Sequence, residues 1–352
     1  MNKHTDKLEL LSPAGSFECT KAAIDAGADA IYMGGAKFSA RAFAKSAEEN
    51  SIIDAIKLAK SNGKRFYLTI NTLFKQRELK EIFLFLDSIV CAGIDAFIVQ
   101  DLGVAMLLKN KYPKVELHAS TQMTITSSKA INLVKSLGFT QVVLARELSI
   151  KEIKAIKKEV GNDIKLETFI HGSMCYCYSG ACLMSSFIGG ESGNRGRCKG
   201  PCRLPYSIAS RSDKMVDPTS HTKHCRGRHS VVPRAGDFQE PAPYILSMKD
   251  MCAINSLSGL VNAGITSFKI EGRMRQADYV YGTTKTYRKY LDEIILSKNC
   301  EPNETRRGEL REPDIKKDEK YLLELYNKGG FTNYYDKHNG TTMIQRYERN
   351  KK

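Results

Sequence analysis

Short apolar runs rich in β-branched and aromatic residues alternate along this chain with longer segments whose apolar positions recur at helical spacing. The runs at 8–11, 30–33, 65–70, 96–99, 115–118, 141–144, 166–170 and 267–270 predict eight strands. Amphipathic segments at 17–26, 52–61, 79–92, 129–137 and 150–160 predict helices between them, with Gly27, Gly63, Gly93, Gly138 and Gly161 as stops. Parallel strands joined by crossover helices produce such an alternation. Eight strand–helix units within about 300 residues match an α/β fold of the (β/α)8 TIM-barrel type better than an open doubly wound sheet, for which six strands suffice.

Polar groups recur at or just past the predicted strand ends: Asn71, Gln100, Asp101, His118, Ser120, Gln122, Arg146, Glu147, His171, Glu271 and Arg273. Any one of these is ordinarily a satisfied polar group. Their recurrence points to the C-terminal face, where barrel enzymes assemble their sites. The period of two sends Lys269, Glu271 and Arg273 to one side of the last strand, and Glu167, Phe169 and His171 to one side of the seventh. If both sides face the interior, two cations, two carboxylates and an imidazole meet in one cavity suited to a carboxylate or phosphate substrate.

About seventy residues, 173–243, separate the seventh strand from the eighth, far more than an ordinary connection, and loops of that size are commonly functional. A helix is expected at 276–297. The expected organisation is therefore a barrel over 1–297 containing the 173–243 insertion, a charge-dense linker at 298–320, and a small terminal element at 321–352.

The polar start at 1–7 shows no apolar segment behind a basic one, and no apolar run is long enough to cross a bilayer, so a cytoplasmic protein without a membrane span is expected. In that compartment ten cysteines read first as metal ligands or redox groups rather than disulfides. Six of them, Cys175, Cys177, Cys182, Cys198, Cys202 and Cys225, fall in the insertion. Their spacing lacks the paired knuckles of structural zinc, and the glycines beside Cys182 and Cys198 would allow backbone amides to approach sulfide. Thiolates suit an iron–sulfur cluster or zinc. The net charge of +15 favours an anionic partner, and ten Lys and Arg between 195 and 234 stand against only Asp213 and Asp217. Such a segment could grip an RNA backbone, although only Tyr206 within it could stack a base.

Several stretches carry a resemblance. They are Leu11-Ser12-Pro13-Ala14-Gly15, the run Gly27 to Gly35, Glu167-Thr168-Phe169-Ile170-His171-Gly172-Ser173-Met174-Cys175, Tyr178 to Cys182, Asn194 to Arg203, Leu246 to Cys252 and Lys269 to Met274. Together they resemble the collagenase-like peptidase family, peptidase family U32, which includes RNA-hydroxylation and ubiquinone-hydroxylation proteins. The resemblance implies a [4Fe-4S] cluster on Cys175, Cys182 and Cys198, with Cys202 or Cys252 as fourth ligand; the thiolates by themselves keep zinc as the alternative metal. It also implies hydroxylation of a tRNA or rRNA pyrimidine with a prephenate-like donor. Peptidase activity and oxygen-independent quinone hydroxylation are the alternatives.

In the hydroxylase reading, Lys269 and Arg273, with Arg146 and Gln122, bind a small carboxylate metabolite. Glu271 orients it, and Glu167 or His171 handles protons near the cluster. The expected partners are RNA, the carboxylate donor and an electron-transfer protein. No HExxH or GxSxG motif supports proteolysis.

Overall fold

A computed structural model describes residues 8–35, 39, 49–206, 244–299, 312–333 and 335. The N-terminal residues 1–7, the basic stretch 207–243 with Cys225, most of the expected linker and the tail past 335 lie outside them.

Seven strands follow one another around a barrel: β1 Glu9–Pro13, β2 Ala30–Gly34, β3 Arg65–Ile70, β4 Ala96–Val99, β5 Glu116–Ala119, β6 Gln141–Val143 and β7 Lys165–Gly172. Two short strands come next, β8 Asp250–Cys252 and β9 Ser267–Ile270. β9 closes the ring by pairing parallel with β7 through Glu167↔Ser267 and with β1 through Glu9↔Ser267. The result is the closed eight-stranded parallel barrel of the (β/α)8 type.

The helices α1 Phe17–Asp25, α2 Glu49–Ser61, α3 Ile82–Cys91, α4 Leu102–Lys111, α5 Ser128–Ser136 and α6 Ile150–Val160 cross between consecutive strands. Four of them, α1, α4, α5 and α6, begin at a residue whose side chain caps the first turn. Asp101 accepts from the Val104 amide at 3.1 Å, and Ser149 forms a reciprocal capping box with Glu152. Their apolar faces pack on Leu10, Ile31, Phe66, Phe97 and Ile170, all fully buried. A separate apolar cluster of Leu11, Ala30, Tyr32, Tyr67, Ala96 and Ile98 fills part of the barrel interior.

The sheet continues past the end of β7. There β8 adds antiparallel, His171 opposite Cys252, and β10 Phe331–Thr332 pairs with β8. Two short helices, α7 Met184–Gly189 and α8 Leu257–Asn262, precede the long α9 Ala277–Asn299. The last helix, α10 Glu312–Leu325, runs across position 320, where a linker was expected to give way to the terminal element.

Candidate functional site

A cavity of about 140 Å³ opens at the C-terminal mouth of the barrel. Its floor is Tyr32, Thr69 and Phe169, and Arg146, Gln122, Lys269, Glu271 and Arg273 face into it. Strand alternation explains the last three, because β9 and its extension direct every second residue to one side. The Lys269 ammonium lies 4.4 Å from the Tyr32 ring centre and 5.6 Å from that of Phe169. The Arg146 guanidinium lies 4.9 Å from the Phe169 ring centre and donates to the Ser173 carbonyl at 2.6 Å. Arg273 donates to Ser39 Oγ at 2.5 Å and to Thr69 Oγ1. Gln122 is oriented by donating to the Asn71 carbonyl at 2.8 Å. Three cations and one carboxylate on one cavity have the chemistry to hold an anion.

Glu167 lies below this cavity and does not line it. Its carboxylate is fully buried, takes the Lys269 ammonium at 2.9 Å and accepts from Gln141 at 2.5 Å and Ser267 at 3.1 Å. It is the counter-ion of Lys269. Burial pushes that ammonium below its ordinary range, against the pull of Glu167.

His171 also lies away from the cavity, for a different reason. A bulge between Phe169 and His171 breaks the strand's period of two and turns the ring outward. It packs against Tyr279, Tyr287 and Phe331, and burial lowers its pKa to about 3. The ring is therefore neutral at pH 7. Cys252 sits opposite it on β8, with Sγ 3.6 Å from the Tyr287 hydroxyl, and burial pushes its thiol up to about 12. Cys252 lines neither the mouth cavity nor the space behind the cysteine loop.

The remaining wall is the loop after β7. Cys175, Cys182, Cys198 and Cys202 all line the cavity, and so does Cys177, to which the sequence assigned no role. Close approach fixes the loop. Gly180 has φ +77°, and a Cβ there would overlap the Gln122 carbonyl. Next to it, the Ser179 amide donates to Glu147 at 2.9 Å and the Ser179 carbonyl accepts from Thr124. Donors already point at two of the sulfurs: Arg146 Nη2 is 3.8 Å from Cys175 Sγ, and the Gly200 amide is 3.4 Å from Cys198 Sγ. Among the described residues no three metal-ligating side chains converge to hold an ion. The wall thus offers soft thiol donors with amide support, the chemistry that suits an iron–sulfur cluster or zinc, without a preformed cage.

The basic residues of this loop divide by role. Arg195 ties it to the Leu73 carbonyl at 2.7 Å and to Glu78 at 2.5 Å. Arg203 reaches Ser247 at 3.0 Å and the carbonyls of Met174 and Met248. Both are tethers, whereas Arg197 is exposed. Aromatic residues ahead of the basic run were missed by the sequence reading: Tyr176, Tyr178 and Phe187 are 48%, 63% and 83% exposed. They show no periodicity, and only their position among the cysteines could have singled them out.

Among the described residues no helix is long and apolar enough to cross a membrane. The sequence model of Peptidase family U32 matches residues 15–345. The 23S rRNA 5-hydroxycytidine synthase of Escherichia coli is 38% identical over 295 residues, covering 84% of this chain and 41% of that protein. The tRNA hydroxylation protein P of the same species is 31% identical over 315 residues, 83% of this chain and 69% of the relative. A collagenase of Porphyromonas gingivalis is 28% identical over 344 residues, 94% of this chain and 74% of the relative. The chain spans less than half the length of the first of these and about two thirds to three quarters of the others. With that match running along nearly all of its length, the chain belongs to peptidase family U32.

Proposed function

We propose that this protein hydroxylates a pyrimidine of tRNA or rRNA, using a [4Fe-4S] cluster held by Cys175, Cys182, Cys198 and Cys202 and a small prephenate-like carboxylate as hydroxyl donor. The observation that carries this reading is one cavity in which Lys269, Arg273 and Arg146 face the cysteine wall. Relatives named for rRNA and tRNA hydroxylation support it. Replacing a pyrimidine C–H by C–OH removes two electrons from the base, and the oxygen donor leaves reduced by two. The cluster supplies one-electron redox chemistry when bound. The chain's own residues bind and orient: Lys269 and Arg273 take the donor's carboxylates, Arg146 holds the Cys175 side of the wall, and Tyr32 and Phe169 exclude water beneath. Exposed Tyr176 and Tyr178 are placed to stack a base drawn out of an RNA strand.

Anaerobic purification with iron, sulfide and zinc analysis tests the cofactor, on wild type and on Cys202→Ala and Cys252→Ala. Iron with matching sulfide, reduced in C202A and intact in C252A, is expected. The activity test is nucleoside mass spectrometry of RNA from a deletion strain, in which one added oxygen disappears and returns on complementation.

The second reading is proteolysis, favoured by the collagenase relative. Of the described histidines, His118 pairs with Glu116 and His171 packs among tyrosines, so neither stands beside a cavity cysteine as a base. Cleavage of denatured collagen by protein freed of contaminating proteases, with RNA oxygen content unchanged by deletion, would put that reading first.

A further inference from the structure

Behind the cysteine loop lies a second cavity, of about 230 Å³, for which the proposed reaction has no use. Cys175, Cys198, Cys202 and Glu271 line it as well as the mouth cavity, so the loop is a partition with thiols accessible from both sides. Three cations line this second cavity too, Arg203 of the loop itself with Arg275 and Lys328. Arg203 is engaged by Ser247 and two carbonyls. The other two make no ion pair among the described residues. Among the described residues Lys328, just past α10, reaches only Ser173 Oγ at 2.7 Å, and no carboxylate lies within ion-pair distance of it. Burial and the Arg203 charge hold its ammonium below the usual range. The Arg275 guanidinium lies 3.3 Å over the Tyr326 ring centre and 5.9 Å from that of Tyr279, with no side-chain acceptor on its N–H groups among the described residues.

The carboxylates that face these cations are Glu271 and Asp250. Of the two only Glu271 lines the cavity, against three lining cations. Positive charge therefore dominates. A guanidinium held flat on an aromatic ring keeps its in-plane donors for an oxyanion, and an ammonium and a hydroxyl on the same cavity add further donors.

We propose that the outer cavity is a phosphate-binding site in which Lys328, Arg275 and Ser173 hold a phosphoryl group. The C-terminal element thereby gains a role, because α10 and β10 carry Lys328 and Tyr326 to the back of the cysteine loop. The source that the proposed function supplies is a phosphodiester of the substrate RNA, and to that extent the inference rests on the RNA reading. A free phosphate is the other source.

The test uses the anaerobically purified full chain, Lys328→Gln and Arg275→Gln, with Lys328→Arg as the charge-keeping control and circular dichroism to verify folding. Two probes are titrated: a fluorescein-labelled single-stranded RNA, by anisotropy over a range of salt, and radiolabelled inorganic phosphate, by equilibrium dialysis. With an RNA phosphodiester in the site, each Gln variant weakens RNA binding roughly tenfold. Each also lowers the slope of log affinity against log salt by about 0.7, and K328R restores both. With a free phosphate in the site, phosphate binding is lost in both variants while RNA affinity and slope stay at wild type. Wild-type values for both probes in folded K328Q and R275Q overturn the proposal, as does a wild-type protein that binds neither. A wild type that fails to bind RNA, yet loses phosphate binding on K328Q, removes the RNA reading and leaves the site standing.

Discussion

Glu167 and His171 show how a single position changes meaning between a linear pattern and a folded one. Glu167 has the right parity for a cavity residue but lies one layer too deep, where a lone ammonium could not be buried without it. Glu167→Gln is expected to destabilise the protein by about 3–5 kcal/mol through the uncompensated Lys269, measured by urea unfolding, and Glu167→Gln with Lys269→Met is expected to recover part of that. His171 makes a pH prediction. In the unfolded chain its imidazole titrates near 6.5, whereas in the fold it stays neutral down to about 3. Between those values the unfolded state binds the extra proton, so stability falls as pH drops from 6.5, and the contribution is complete above 6.5. Unfolding curves at pH 7 and pH 5 should show that His171→Gln removes about 2 kcal/mol of the wild-type loss. An unchanged pH dependence would show that the ring is not held neutral.

At the scale of elements, strands β2, β3, β4 and β9 were legible because apolar runs bounded by glycine or polar residues carry their own boundaries. What escaped was made by tertiary contact. β8 and β10 have three and two residues, too short for any periodicity, and exist because the overlong β7 offers an edge past the barrel rim. The bulge that turns His171 outward is likewise invisible, since Glu167, Phe169 and His171 alternate without a break in the sequence. The cysteine wall was legible as a cluster, but its seating depends on Gly180 meeting Gln122, a contact between segments far apart in the chain. Gly180→Ala should therefore lift the loop without melting the barrel. The expected outcome is faster reaction of Cys177 and Cys182 with a thiol reagent in cluster-free protein, at a melting temperature within a few degrees of wild type. A large fall in melting temperature with no change in thiol reactivity would place the Gly180 constraint in the barrel rather than the loop.

Over the whole molecule, the net charge of +15 suggests an RNA-binding surface, yet the loop's arginines are not equivalent. Arg195 and Arg203 fasten the cysteine wall to the barrel, while Arg197 faces solvent with Glu191 at 3.6 Å as its one ion-pair partner among the described residues. Electrostatic grip and base stacking are therefore separable in measurement, because phosphate contacts release counterions and stacking does not. Arg197→Gln should lower the salt slope of single-stranded RNA binding by about 0.7. Phe187→Ala, which removes the most exposed aromatic side chain among the described residues of the loop, should weaken binding by about 1–3 kcal/mol at every salt concentration and leave the slope unchanged. Duplex RNA, whose bases are already stacked, should distinguish wild type from F187A far less. Should F187A bind single strands as tightly as wild type, the exposed ring covers a protein surface rather than a base, and the stacking would then fall to Tyr176 at the cavity and the exposed Tyr178.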